Sequence, residues 1–228
     1  MTGPVPRPEG GEPGALQPIA ATPGGVHGPG TGQAGYLGMR VGEFLDELAA
    51  ARPAPGGGSA AALAVALAAA LCAMTAELSA RHLAQAPGLA AESRGLLRRA
   101  APLAQADADA YAGVLAARRA PGEQRAEQVS AALARASEAP LEVAELGGRV
   151  AALAADIADR GNPAVRGDAL AAARLAAAAA QAAAALVQIN LAGMPDDPGA
   201  ARAARLAAHA ASLAARLPGP AQDRGPRG

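Results

Sequence analysis

Residues 53–76 read PAPGGGSAAALAVALAAALCAMTA, and this stretch decides the fold. Pro53 and Pro55 stop any helix that precedes them, and Gly56, Gly57 and Gly58 hold the following turn open. Ser59 is then expected as the N-cap of a long helix over 59–83, its hydroxyl accepting from amides of the first turn. No charged residue occurs from Ala60 to Ala76. That run is alanine-dominated and somewhat short of the roughly 20 apolar residues that span a bilayer, so a buried core helix is expected and no membrane partner.

On the amino-terminal side, 41–51 reads as a short helix with Phe44, Leu45 and Leu48 on one side. Residues 1–38 are rich in Pro and Gly and read as a disordered arm. They hold no basic start followed by an apolar run, so no signal peptide is expected. Downstream, Pro87-Gly88, Pro121-Gly122, Pro140 and Gly161-Asn162-Pro163 punctuate the chain. Helices are expected over 89–119, 123–138, 141–159, 164–191 and 197–217, with Asn162 capping the sixth and Pro163 in its first position. The clearest amphipathic segment carries Val143, Leu146, Val150, Leu153 and Ile157 at alternating three- and four-residue steps. No strand pattern occurs. The expectation is an all-α multihelical bundle of six or seven helices over 39–217, with a disordered tail at 218–228. Its alanine-rich faces suit a close-packed homodimer.

The totals exclude several function classes. Lys+Arg and Asp+Glu are both 20 in 228 residues and aromatics are 1%, so the chain has neither a basic field nor stacking platforms for nucleic acid. The one cysteine, Cys72, rules out internal disulfides and zinc patterns and fits a reducing cytoplasm. His27 and His82 offer no Ser-His-Asp arrangement, and no metal cluster is expected.

Asp107 is the chemical anomaly. With Leu96, Ala100, Leu103, Ala110 and Val114 it falls on an apolar helical seam, bordered by Tyr111. A carboxylate there must be paired, hydrogen-bonded or partly protonated. It is either a catalytic acid or base or a packing residue bonded to a neighbouring hydroxyl or amide. Asp109 points elsewhere, to water. The glycine start offers free amides that favour an anion but lacks the lysine of a P-loop. Nucleotide triphosphate is not expected there; the segment is another anion's site or simply a glycine turn with a serine cap. Asn162, Asp168 and Asn190 are each a cap, a core hydrogen bonder or part of a site. Asp168 and Asn190 stand about 33 Å apart on one unbroken helix and would meet only across a subunit boundary. Glu145 is expected to pair with Arg149 one turn later.

Phe44-Leu45 before the Pro53–Ser59 start, Met74, Asp107 with Ala110-Tyr111, and Pro140-Leu141 with Ala144-Glu145 occur in an order that resembles the cyclodeaminase/cyclohydrolase family. Gly161-Asn162 with Asp168 and Ile189-Asn190-Leu191 extend the resemblance over 41–217. It departs at Leu186, where relatives often carry Asn, at Pro163 and Gly167, and at Arg81-His82, which stands for a fuller basic pair. The resemblance implies an all-helical dimer acting on a tetrahydrofolate derivative, with no cofactor beyond that substrate. It implies Asp107 as catalytic, with Gly56, Gly57, Gly58, Ser59, Asn162, Asp168 and Asn190 lining the site and the helix start at Ser59 receiving folate carboxylates. It further implies hydrolysis of 5,10-methenyltetrahydrofolate to 10-formyltetrahydrofolate, or loss of ammonia from 5-formiminotetrahydrofolate. A non-catalytic folate- or protein-binding module is the third reading.

Overall fold

The computed structural model describes residues 35–217, so the arm and tail expected at the ends lie outside the described residues except for 35–38. A 3-10 turn, Tyr36–Gly38, leads into α1 (Val41–Ala49), whose start is closed by the Glu43 carboxylate accepting from the Arg40 amide at 2.9 Å. Then follow α2 (Gly57–Leu78), α3 (Ala86–Ala100), α4 (Leu103–Arg119), α5 (Arg125–Ala136), α6 (Glu138–Arg160), α7 (Arg166–Asn190) and α8 (Pro198–Arg216). No strand occurs among the described residues.

Several boundaries differ from expectation for local reasons. The helix expected over 89–119 is two, because Pro102 has no amide proton to carry the ladder across. The start of α6 precedes Pro140 rather than following it: proline is tolerated in a first turn, where amide protons lack partners anyway. At Leu78 α2 stops short of Leu83, and the Ser79 hydroxyl donates back to the Thr75 carbonyl at 2.7 Å.

The core is built on α6 and α7, which pack most extensively, with α2 laid against α7 and α3 against α2. The turn 161–165 makes α6 and α7 antiparallel neighbours. The head of α2 meets the end of α7 where the Leu186 side chain lies beside Gly57, and the tail of α2 meets the turn before α7 through Asn162. Alanines fill most of the interface, which is why these helices lie so close. At Gly147 on α6 a methyl would stand 2.9 Å from the Ala176 carbonyl oxygen and 3.3 Å from Val65, so the α6–α7–α2 crossing requires glycine there. The amphipathic seam behaves as expected, with Val143, Leu146, Val150, Leu153 and Ile157 all buried.

Several charged pairs clasp neighbouring helices together, while Arg160 pairs with Asp156 along α6 itself. The expected Glu145–Arg149 pair is absent: Arg149 bonds Glu92 of α3 at 2.5 Å and Glu145 bonds Arg202 of α8 at 2.6 Å. Long side chains at a helix crossing reach a neighbouring helix as readily as their own next turn. Among the described residues two helical segments, Gly57–Leu78 and Pro163–Asn190, are long and apolar enough to cross a membrane by length and composition, and more than half of each apolar window is buried inside the bundle.

Candidate active site

The polypeptide entering α2 makes one wall of a cleft of about 210 Å³. Pro53, Ala54 and Gly56–Gly58 form that wall; Asp107, Ala108 and Tyr111 of α4 form the second. Ala136 at the end of α5 and Leu186, Ile189 and Asn190 near the end of α7 close the third side.

Gly56, not Ser59, is the N-cap of α2, and it has no side chain to cap with. The cap comes from another helix. Asp107 of α4 lays its carboxylate over Gly58 so closely that a methyl on that glycine would overlap it. The carboxylate sits over the helix start where an N-cap side chain would, and the Ser59 backbone amide favours its charged form. The Asp107 carboxylate is the anion nearest the head of α2. Ser59 is fully buried behind Asp107 and does not line the cleft, which corrects its place among the lining residues.

The Ser59 hydroxyl donates to the Ala104 carbonyl at 2.7 Å and lies 3.5 Å from Asp107 Oδ2. The shorter bond holds the hydroxyl proton more strongly, so its donation to the carboxylate is weak. Asp107 is half-buried. Burial pushes its carboxyl above the usual carboxylate range, against the opposing pull of the Ser59 amide and hydroxyl. The result is a carboxyl able to take up and return a proton nearer neutrality than an exposed one.

Asn190 joins Asp107 in the cleft. Its Nδ2 donates to the Ala136 carbonyl at 3.1 Å, so its amide both ties α7 to α5 and presents polar atoms to the cavity. Asn162 and Asp168 lie at the opposite end of α7. Asn162 Oδ1 accepts from the Ala164 amide at 2.9 Å and its Nδ2 donates to the Leu78 carbonyl at 3.0 Å, which makes it a structural cap. Asp168 is exposed on the first turn of α7. Within one chain, then, Gly56, Gly57, Gly58, Asp107 and Asn190 come together, whereas Ser59, Asn162 and Asp168 do not line the cleft. Asp109 is exposed as expected, though its carboxylate accepts from Gln105 at 2.9 Å.

Leu186, Ile189 and Ala136 were not foreseen as lining. Leu186 and Ile189 share a helix face with Asn190, a signal present in the spacing; Ala136 is one alanine among many and carries none. The cleft residues include no Lys, Arg or His. Among the described residues no three His, Cys, Asp or Glu side chains gather as a metal site would require.

Residues 40–212 match the family model described as formiminotransferase-cyclodeaminase. The chain belongs to that family. Among relatives of this family member is the methenyltetrahydrofolate cyclohydrolase of Methylorubrum extorquens, 32% identical over 165 residues that cover 67% of this chain and 79% of the relative. The crystal structure of formiminotetrahydrofolate cyclodeaminase from Thermotoga maritima superposes with a TM-score of 0.68 at 23% identity, covering 78% of this chain and 91% of that one, a likeness of fold.

Proposed function

We propose that this protein hydrolyses 5,10-methenyltetrahydrofolate to 10-formyltetrahydrofolate in the cytoplasm, with water as co-substrate and no further cofactor. The observation that carries the reading is a half-buried carboxyl, Asp107, held at the head of α2 in a cleft that offers no cation. The methenyl carbon between N5 and N10 carries delocalised positive charge, and a carboxylate in low dielectric is its natural partner. Water adds to that carbon as Asp107 takes one of its protons. The tetrahedral adduct then opens by breaking the bond to N5, with Asp107 returning the proton to N5 and the hydroxyl proton leaving to solvent as the formyl group forms. One proton is released overall, as charge balance requires. The named cyclohydrolase relative favours this reaction over ammonia loss.

The protein acts as a homodimer in this proposal. A cavity of about 210 Å³ is small beside the roughly 300–1,000 Å³ of sites that enclose a drug-sized ligand, so it receives the ring system and leaves the glutamate tail outside. Along the same two helices, Leu67 and Leu78 of α2 are 64% and 52% exposed, and Leu175 and Ile189 of α7 are exposed as well. A second copy packed antiparallel there covers those side chains and brings the far end of its own α7, with Asp168, toward the cleft mouth. Native mass measurement is expected to give a dimer that Leu67→Asp dissociates. A wild-type monomer, or binding to lipid vesicles through the same residues, would overturn that arrangement.

The experiment for the activity is a spectrophotometric assay with each folate separately. Loss of 5,10-methenyltetrahydrofolate is expected above its spontaneous rate. Turnover of 5-formiminotetrahydrofolate alone would establish the cyclodeaminase reaction instead, and binding without turnover of either would leave a non-catalytic module.

A further inference from the structure

The segment that precedes α1 takes no part in the chemistry above, yet it joins two walls of the cleft. In the loop 50–56 that forms the first wall, buried Pro55 holds the end that enters α2, whereas the end that leaves α1 is exposed. Ala51, Arg52 and Pro53 are exposed, and its near end is held by the solvent-exposed Arg52–Glu47 pair at 2.7 Å, a kind of contact that contributes little. Phe44 is the one residue of α1 that is buried; Val41 and Leu45 face solvent. What covers Phe44 is Tyr36, whose ring meets it edge-on with centroids 5.6 Å apart at 68°.

Tyr36 also reaches α4. Its backbone amide donates to Gln105 Oε1 at 3.3 Å, and Gln105 Nε2 donates to Asp109 Oδ1 at 2.9 Å. The carboxylate on one side fixes the orientation of the Gln105 amide, so its oxygen must face Tyr36. Gln105 stands two residues before Asp107 on the same helix. The Tyr36 ring packs against the main core, and burial pushes its hydroxyl upward, reinforced by the negative charges of Asp109, Glu47 and Asp107. Tyr36 therefore joins the root of the first wall, through its ring, to the helix that bears the cleft carboxyl, through its backbone amide.

We infer that Tyr36 is a positioning residue of the cleft: by bridging Phe44 of α1 and Gln105 of α4 it sets where the loop 50–56 stands relative to Asp107. The far end of the loop is held by the buried Pro55 and the near end by that bridge, so substrate contacts made by Pro53 and Ala54 depend on it. This inference rests on the proposed folate activity for its kinetic consequence and on geometry alone for its structural one.

The test uses the full chain in three forms: wild type, Tyr36→Ala and Tyr36→Phe. Hydrogen exchange is expected to quicken in peptides covering 50–58 of Tyr36→Ala while α6 and α7 keep their protection. The KM for 5,10-methenyltetrahydrofolate rises several-fold with kcat little changed, the pattern of lost ground-state positioning. Tyr36→Phe keeps the edge-on ring and the backbone bond, and restores both measurements. Gln105→Ala moves them in the same direction as Tyr36→Ala. Unchanged exchange at 50–58 in Tyr36→Ala overturns the inference, as does exchange that quickens equally throughout the bundle, which would mark Tyr36 as a general stabiliser. A wild type that turns over neither folate counts against the proposed activity, while the exchange comparison still decides the role of Tyr36.

Discussion

The two ends of the α2–α7 pair carry similar polar residues and use them in opposite ways. At the tail of α2, Ser79, Asn162 and the neighbouring backbone satisfy one another: the Ser79 hydroxyl accepts from the Asn162 amide at 2.9 Å, and both ends of the Asn162 side chain are bonded. Every polar group there is spent on joining a helix end to a turn. At the head of α2, Asp107 also caps a helix, but it does so from a cleft wall, half-buried, with a single neighbouring serine whose proton is held more strongly by the Ala104 carbonyl. A cap costs the protein nothing when both partners are satisfied; here the charge is left incompletely solvated and therefore available to chemistry.

Changes at the head of α2 are expected to break that contrast most. Asp107→Asn removes the proton carrier and leaves an isosteric cap, so turnover should fall by about 10²–10⁴-fold while the circular dichroism spectrum is retained. Gly58→Ala forces the carboxylate off its seat. Loss of most turnover is expected together with destabilisation of about 1–3 kcal/mol by chemical denaturation. At the other end the balance reverses: Asn162→Ala is expected to cost about 0.5–2 kcal/mol of stability with kcat little altered. The smallest effect sharpens the comparison through pH. Because the folded-state pKa of Asp107 is raised, folding favours its protonated form, and its contribution to stability is lost as pH rises through that pKa. Asp107→Asn should thus melt slightly above wild type at neutral pH, and the difference should shrink as pH falls below the ordinary carboxylate range, where the carboxyl is protonated in both folded and unfolded chains.

Much of this was legible in the residues. The proline and glycine breaks set the helix order, and the 143–157 seam identified a central helix without ambiguity, because five bulky residues among alanines leave one face to bury. Asp107 stood out for the same reason, a carboxyl on an apolar face. Ser59 was misread because a serine after three glycines looks like a local cap, and no local pattern reveals that the cap arrives from a helix 48 residues away. The partners of Arg149 and Glu145 were likewise hidden: sequence spacing favours the next turn, whereas the crossing of α6 with α3 and α8 decides. Tyr36 fell inside a stretch rich in Pro and Gly, and its tie to Gln105 depends on a fold-back that composition does not encode.

The most direct measurement is the pH dependence of kcat/KM for enzymatic hydrolysis of 5,10-methenyltetrahydrofolate, corrected for the spontaneous rate, in wild type and Asp107→Asn. An acid limb is expected in the wild type, with its midpoint above the ordinary carboxylate range and absent from the residual activity of the variant. An acid limb that persists unchanged in Asp107→Asn, or a variant as fast as wild type, would contradict the account.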